Sequence, residues 1–152
     1  MNIVLFEPEI PHNTGAIGRT CAATGSILHL IHPLGFFLNE KTLRRSGMDY
    51  WDDLDVYQYD DFADFIDKNP AAIIYFIETF GNIIYTDIQY KKNDYLVFGS
   101  ESKGIPPALI AQYGTAVKIP MIENSRSLNL SVSVGVALYE ALRQTGWENF
   151  HA

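Results

Sequence analysis

Three short stretches place polar side chains at fixed spacings among small or apolar residues. "NTGAIGR" is N-x-G-x-x-x-R through Asn13, Gly15 and Arg19, and "FGSESKG" is F-G-x-E-x-x-G through Phe98, Gly99, Glu101 and Gly104. "IPMIENSRSLNLS" continues from Ile119-Pro120 into S-x-S-x-N-x-S, through Ser125, Ser127, Asn129 and Ser131. Together they offer a permanent cation, a carboxylate and a set of hydroxyl and amide groups. Familiar readings of such residues fail on residue type. "GSESKGIP" has the glycine spacing of a P-loop, but Ile105 and Pro106 stand where Lys and Ser or Thr must lie. Ser102 is not in a G-x-S-x-G elbow, because Ser100 takes the first glycine position. The first strand-to-helix loop lacks G-x-G-x-x-G, which argues against a standard dinucleotide site. One cysteine and four scattered histidines leave no cluster at metal-ligand spacing, and Cys21 reads as a small buried filler.

The elements that must position these residues are legible as short, nearly all-apolar runs. They are "NIVLFE" (2–7), "ILHLIH" (27–32), "AAIIYFI" (71–77), "YLVFG" (95–99) and "TAVKIP" (115–120). Strands of this kind alternating with helices predict an α/β fold, a parallel sheet flanked by helices on both faces. Thr14 is the expected cap of a helix running to Gly25; Phe62, Phe65 and Ile66 have helical spacing; and "PPALIAQYG" opens on Pro and stops at Gly114. In the last helix Leu130, Val134, Ala137, Leu138 and Ala141 share one face and Val132, Val136 and Tyr139 another, so burial is expected on most sides. Ligands of parallel sheets bind beyond the carboxyl ends of the strands, which is where all three motifs fall.

The chain of 152 residues fits a single domain, 1–152, and its hydrophobic fraction of 47% is that of a folded protein. A net charge of −7 excludes coating nucleic acid through a general positive field, so RNA binding would need a local patch. Lys41, Arg44 and Arg45, with Arg19, Arg126 and Arg143, are the supply of cations for one, or else a scatter of solvated surface charges. The longest apolar run is too short to span a bilayer and the start has no basic leader, so the expected setting is cytoplasmic, without a membrane partner.

Taken in order, the three motifs resemble the SPOUT RNA methyltransferases, and within them the small enzymes that 2′-O-methylate the wobble nucleotide of tRNA. The resemblance runs from "NIVLFEPEIPHNTG" to "YEALRQTG". It implies a deep C-terminal trefoil knot, a topology that sequence reasoning excludes by default. It also implies a homodimer, S-adenosylmethionine as methyl donor, no metal, and the tRNA anticodon stem-loop as partner. Methylation of ribosomal RNA or of another tRNA position, and a catalytically inactive RNA-binding protein of the same fold, are the alternatives.

By the same resemblance, the cofactor lies against Ile77, Glu78 and Thr79, against Gly99, Glu101 and Gly104, and against Ile119, Ile122, Ser127 and Asn129. Glycine suits positions where a ligand approaches backbone closely. Glu78 is either a ribose contact or a surface carboxylate. Arg19 is placed at the reacting 2′-hydroxyl; being almost always protonated, it suits stabilising the alkoxide or clamping a phosphate better than acting as base. Glu101 either orients Arg19 or anchors its loop, and Asn129 and Tyr139 serve substrate positioning or the subunit seam.

Overall fold

The computed structural model describes residues 1–39, 41, 49–147 and 150. Its strands are β1 (Asn2–Phe6), β2 (Ile27–Ile31), β3 (Val56–Tyr59), β4 (Ile74–Ile77), β5 (Ile83–Ile84), β6 (Tyr95–Phe98) and β7 (Thr115–Lys118). Among the described residues they form one seven-stranded sheet in the order β3-β2-β1-β6-β4-β7-β5. Every pairing is parallel. The helices are α1 (Pro11–Thr24), α2 (Phe62–Lys68), α3 (Pro107–Tyr113) and α4 (Leu130–Thr145).

Each central strand is buried on both faces, and its alternating side chains feed two cores. Ile3, Leu5, Leu96 and Phe98 join Ile17 and Cys21 of α1 and Val134, Ala137 and Leu138 of α4. Val4, Phe6, Val97 and Phe76 join Phe62 and Phe65 of α2 and Ile110 of α3. Parallel layering follows directly from the apolar runs. β3 and β5 were not anticipated: "VYQY" carries two exposed residues, and β5 is two residues long, so neither reads as a buried run.

Two helix expectations are corrected. Helix α1 starts three residues before Thr14, with Pro11 in its first turn and Ile10 as a cap residue without a side-chain bond. Thr14 is instead buried within the helix, and its hydroxyl is the buried side-chain polar atom left without a partner among the described residues. Helix α4 buries Val134, Ala137, Leu138 and Ala141, but Val132 and Tyr139 remain about half exposed, 50% and 48%. Its second apolar face is therefore open within a single chain.

Under the α2 side of the sheet lies a buried polar network. The Asn2 amide nitrogen donates to the carbonyls of Asn93 and Asp94, so its oxygen faces His29 Nε2 at 3.2 Å and Nε2 carries the proton. His29 Nδ1 then accepts from the Tyr59 hydroxyl at 2.8 Å. Tyr59 accepts from the Asn69 amide at 3.3 Å, and Asn69 accepts from the Tyr95 hydroxyl at 3.0 Å. Burial pushes the His29 pKa down to about 4. The unfolded chain therefore binds a proton near pH 6.5 that the folded chain refuses, and stability is lost as pH falls from about 6.5 to about 4. In urea titrations, the stability gap between wild type and His29→Gln is expected to narrow by about 3 kcal/mol between those limits. A gap independent of pH would refute the assignment.

Candidate active site

The carboxyl ends of β1, β6, β4 and β7 lie side by side, so the segments that follow them converge on one cavity of about 650 Å³. That size is usual for a small-molecule site. The segment after β6 makes the tightest wall. Gly104 N–H donates to the Ser100 carbonyl at 2.9 Å, closing a turn in which Gly104 has φ +66°. A Cβ at Gly99 would lie 2.3 Å from the Gly104 carbonyl carbon, so only glycine allows this fold-back.

Glu101 projects from that turn onto the start of α1. Its carboxylate accepts from Glu9 N–H at 2.8 Å, Ile10 N–H at 3.2 Å and the Asn13 amide at 3.0 Å. Because Ile10 has no capping side chain, a carboxylate 91 residues distant supplies the acceptor that this positive helix end lacks. Glu9 returns the contact, accepting from the Ser102 amide at 2.8 Å and hydroxyl at 2.6 Å. These bonds from Ser102 hold the Glu9 carboxyl below its usual range.

Asn13 extends the chain to the third motif. Its amide oxygen accepts from the Asn129 amide nitrogen at 3.0 Å. The Asn129 oxygen caps α4, accepting from Ser131 N–H at 2.9 Å and Val132 N–H at 3.4 Å. The order of donors is forced, because Glu101 and the helix amides leave each asparagine one workable orientation. Glu78 braces the remaining side by accepting from Ile105 N–H at 2.9 Å, and burial pushes its pKa up.

The cavity is lined by Ile77, Glu78 and Thr79, by Gly99, Glu101 and Gly104, and by Ile119, Ser127 and Asn129. Other expected residues lie elsewhere. Ile122 does not line it: the side chain is 84% exposed and Met121 takes the wall position instead. Arg126 is exposed after β7, Lys41 is exposed, and Tyr139 stands on α4 beside Trp147. Arg44 and Arg45 lie outside the described residues.

Arg19 is the main departure. It lies on α1 six residues beyond Asn13, roughly 9 Å along the axis and turned to another side of the helix. It is exposed and lines a separate notch with Asp49, Tyr50 and Asp53. Within one chain Glu101 therefore meets Asn13 and the α1 amides, not Arg19. Sequence reasoning assigned no role to Glu9 or to Asn13 itself, although Asn13 opens the first motif and Glu9 repeats the acidic type in "EPE".

The lining combines apolar side chains (Ile77, Phe98, Ile119, Met121) with the carboxylates of Glu78 and Glu101, hydroxyls and the amides of Asn13 and Asn129. That donor set fits a ligand with a flat heteroaromatic end and a polar, charged tail, as S-adenosylmethionine is. Asn13→Asp is expected to place a second carboxylate against Glu101 in a buried position. It should destabilise the fold by about 2 kcal/mol at pH 7 and weaken S-adenosylhomocysteine binding at least tenfold, read by thermal melts and calorimetry. Unchanged binding would show that the link between motifs does not shape the cavity.

The SpoU rRNA Methylase family model matches residues 1–139. A tRNA (cytidine(34)-2'-O)-methyltransferase of Yersinia pestis is 46% identical over 156 residues, covering 97% of this chain and 95% of that protein. Its Escherichia coli K12 counterpart is 42% identical over 149 residues, covering 97% and 95%. A solved structure described as giving insights into the 2-OH methylation of C/U34 on tRNA superposes with a TM-score of 0.88 at 44% identity, covering 94% of each chain. An AdoMet-bound rRNA methyltransferase of Sinorhizobium meliloti superposes at 0.82 and 27% identity, covering 93% of this chain and 55% of that one. Sheet order, braced cavity, motif order and full-length similarity agree, and the chain belongs to the SpoU methylase family.

Proposed function

We propose that the protein transfers a methyl group from S-adenosylmethionine to the ribose 2′-hydroxyl of the wobble nucleotide, cytidine or uridine 34, of tRNA in the cytoplasm. The observation that carries this reading is the Glu101–Asn13–Asn129 bridge, which ties all three motifs around one cavity. Relatives covering nearly the whole chain and named for this reaction supply the substrate. When bound, the cofactor offers an electrophilic methyl group on a sulfonium. The chain's part is to hold it: Ile77, Gly99 and Ile119 would present backbone and apolar surface to its nucleoside, and Ser127 and Glu78 would meet its polar groups.

Arg19 supplies positive charge to the ribose oxygen as its proton leaves, an interaction often worth several kcal/mol. Because Arg19 does not line the cavity of its own chain, it serves the cavity of a second copy in a homodimer. The open face of α4, with Val132, Val136, Tyr139 and a Gly135 that has free space around its Cβ position, is the proposed seam. A two-fold pair would pool Arg126, Lys41 and Arg19 for the anticodon stem-loop. In the same reading the C-terminal segment is threaded as a trefoil knot.

Two experiments test this. Nucleoside mass spectrometry of tRNA from a deletion strain, before and after treatment with the purified protein, should show 2′-O-methylation appearing at position 34; appearance in ribosomal RNA or at another tRNA position would redirect the substrate. Arg19→Ala and Asn129→Ala should each abolish turnover, with S-adenosylhomocysteine affinity little changed in Arg19→Ala. Random mixing of the two variants through unfolding and refolding should restore about one quarter of the wild-type rate, since half of the dimers then hold one intact composite site. No recovery would place Arg19 and the cavity in the same chain.

A further inference from the structure

The notch that holds Arg19 is built by the segment around Tyr50, which the proposed chemistry does not otherwise use. The Tyr50 hydroxyl donates to the Gly15 carbonyl on α1. One turn on, a Cβ at Gly18 would lie 3.4 Å from the Tyr50 ring and 3.2 Å from Trp51, so a bare α1 surface lets this segment sit close. Both glycines of "NTGAIGR" thus face Tyr50 and its neighbours. The Arg19 guanidinium carbon then stands 5.9 Å from the centroid of the Tyr50 ring, within the range of cation–π attraction. Burial pushes the Tyr50 pKa further up, away from neutral pH.

Among the described residues no carboxylate forms an ion pair with Arg19, although Asp49 and Asp53 line the same notch. The distinction matters chemically. An ion pair would occupy N–H donors and neutralise the charge, whereas an aromatic face orients the plane and leaves the donors free. We propose that Tyr50 is a positioning residue for Arg19, aiming the guanidinium while its charge and N–H groups stay available to an anionic oxygen of the RNA. The inference rests on the role given to Arg19 above.

A ring that merely fills space and a ring that holds a cation respond differently to electron withdrawal. In the full-length protein, Tyr50 is replaced by phenylalanine and then by its 3,5-difluoro and 3,4,5-trifluoro forms, which weaken the negative ring face at nearly constant shape. Single-turnover methyl transfer to tRNA is expected to fall stepwise, by about fivefold from phenylalanine to the trifluoro form. S-adenosylhomocysteine affinity should stay constant across the series. A flat rate overturns the inference, and so does a loss of S-adenosylhomocysteine affinity that runs parallel to the loss of rate. If Arg19→Ala itself turns over like wild type, the reading of Arg19 falls and this inference with it. If Arg19→Ala is inactive and the fluorinated series is flat, only the role of Tyr50 falls.

Discussion

A carboxylate at the end of a helix holds this site together. The first turn of α1 exposes N–H groups that no side chain of its own start can satisfy, and Glu101 reaches them from the far side of the cavity. Removing one acceptor from such a place leaves donors unpaired at the positive end of a helix dipole. The geometry of the 99–104 turn therefore has to be exact enough to deliver the carboxylate, which explains why its backbone folds onto itself at two glycines. Glu9 and Ser102 repeat the connection in the opposite direction.

The wider sheet makes that meeting possible. Because β6 lies between β1 and β4, the loop after β6 is next to the start of α1 on one side and to Glu78 on the other. Burial of both sheet faces fixes the strand ends, and the loops inherit their spacing. Most of the hydrogen bonds shaping the cavity run between loops far apart in sequence, so the pocket and the fold are stabilised by the same groups. That economy has a cost in tolerance: a change at Asn13 reaches Glu101 and Asn129 together.

Two halves of the machinery face different ways on one helix. The first turn of α1 closes the cavity through Ile10 and Asn13, while Arg19 points from a later turn into the notch shaped by Tyr50. In the proposed dimer, one chain would hold the donor and the other would present the cation. That pairing would also give the open apolar face of α4 a reason to exist, since burying it against a second copy would bring the two halves together.

Much of this was legible beforehand. Apolar runs such as "NIVLF" and "YLVF" require burial on both sides, and that alone implies parallel strands between helical layers. The motif residues Gly99, Glu101 and Asn129 stand out because polar and glycine positions interrupt otherwise apolar elements. Less could be read where structure is short or partner-dependent, as with β5 at two residues and the exposed β3. The choice between Ile122 and Met121 in the cavity wall turns on the path of one irregular loop, which carries no periodicity to read. Likewise, Glu101 bonds to Asn13 and not to Arg19 because strand order and helix rotation select its neighbour across 88 residues. Local sequence determined which elements form and which residues carry chemistry, since burial and backbone preference act over a few positions. Tertiary structure decided which of those residues meet, because contacts between distant segments depend on how the strands are ordered in space.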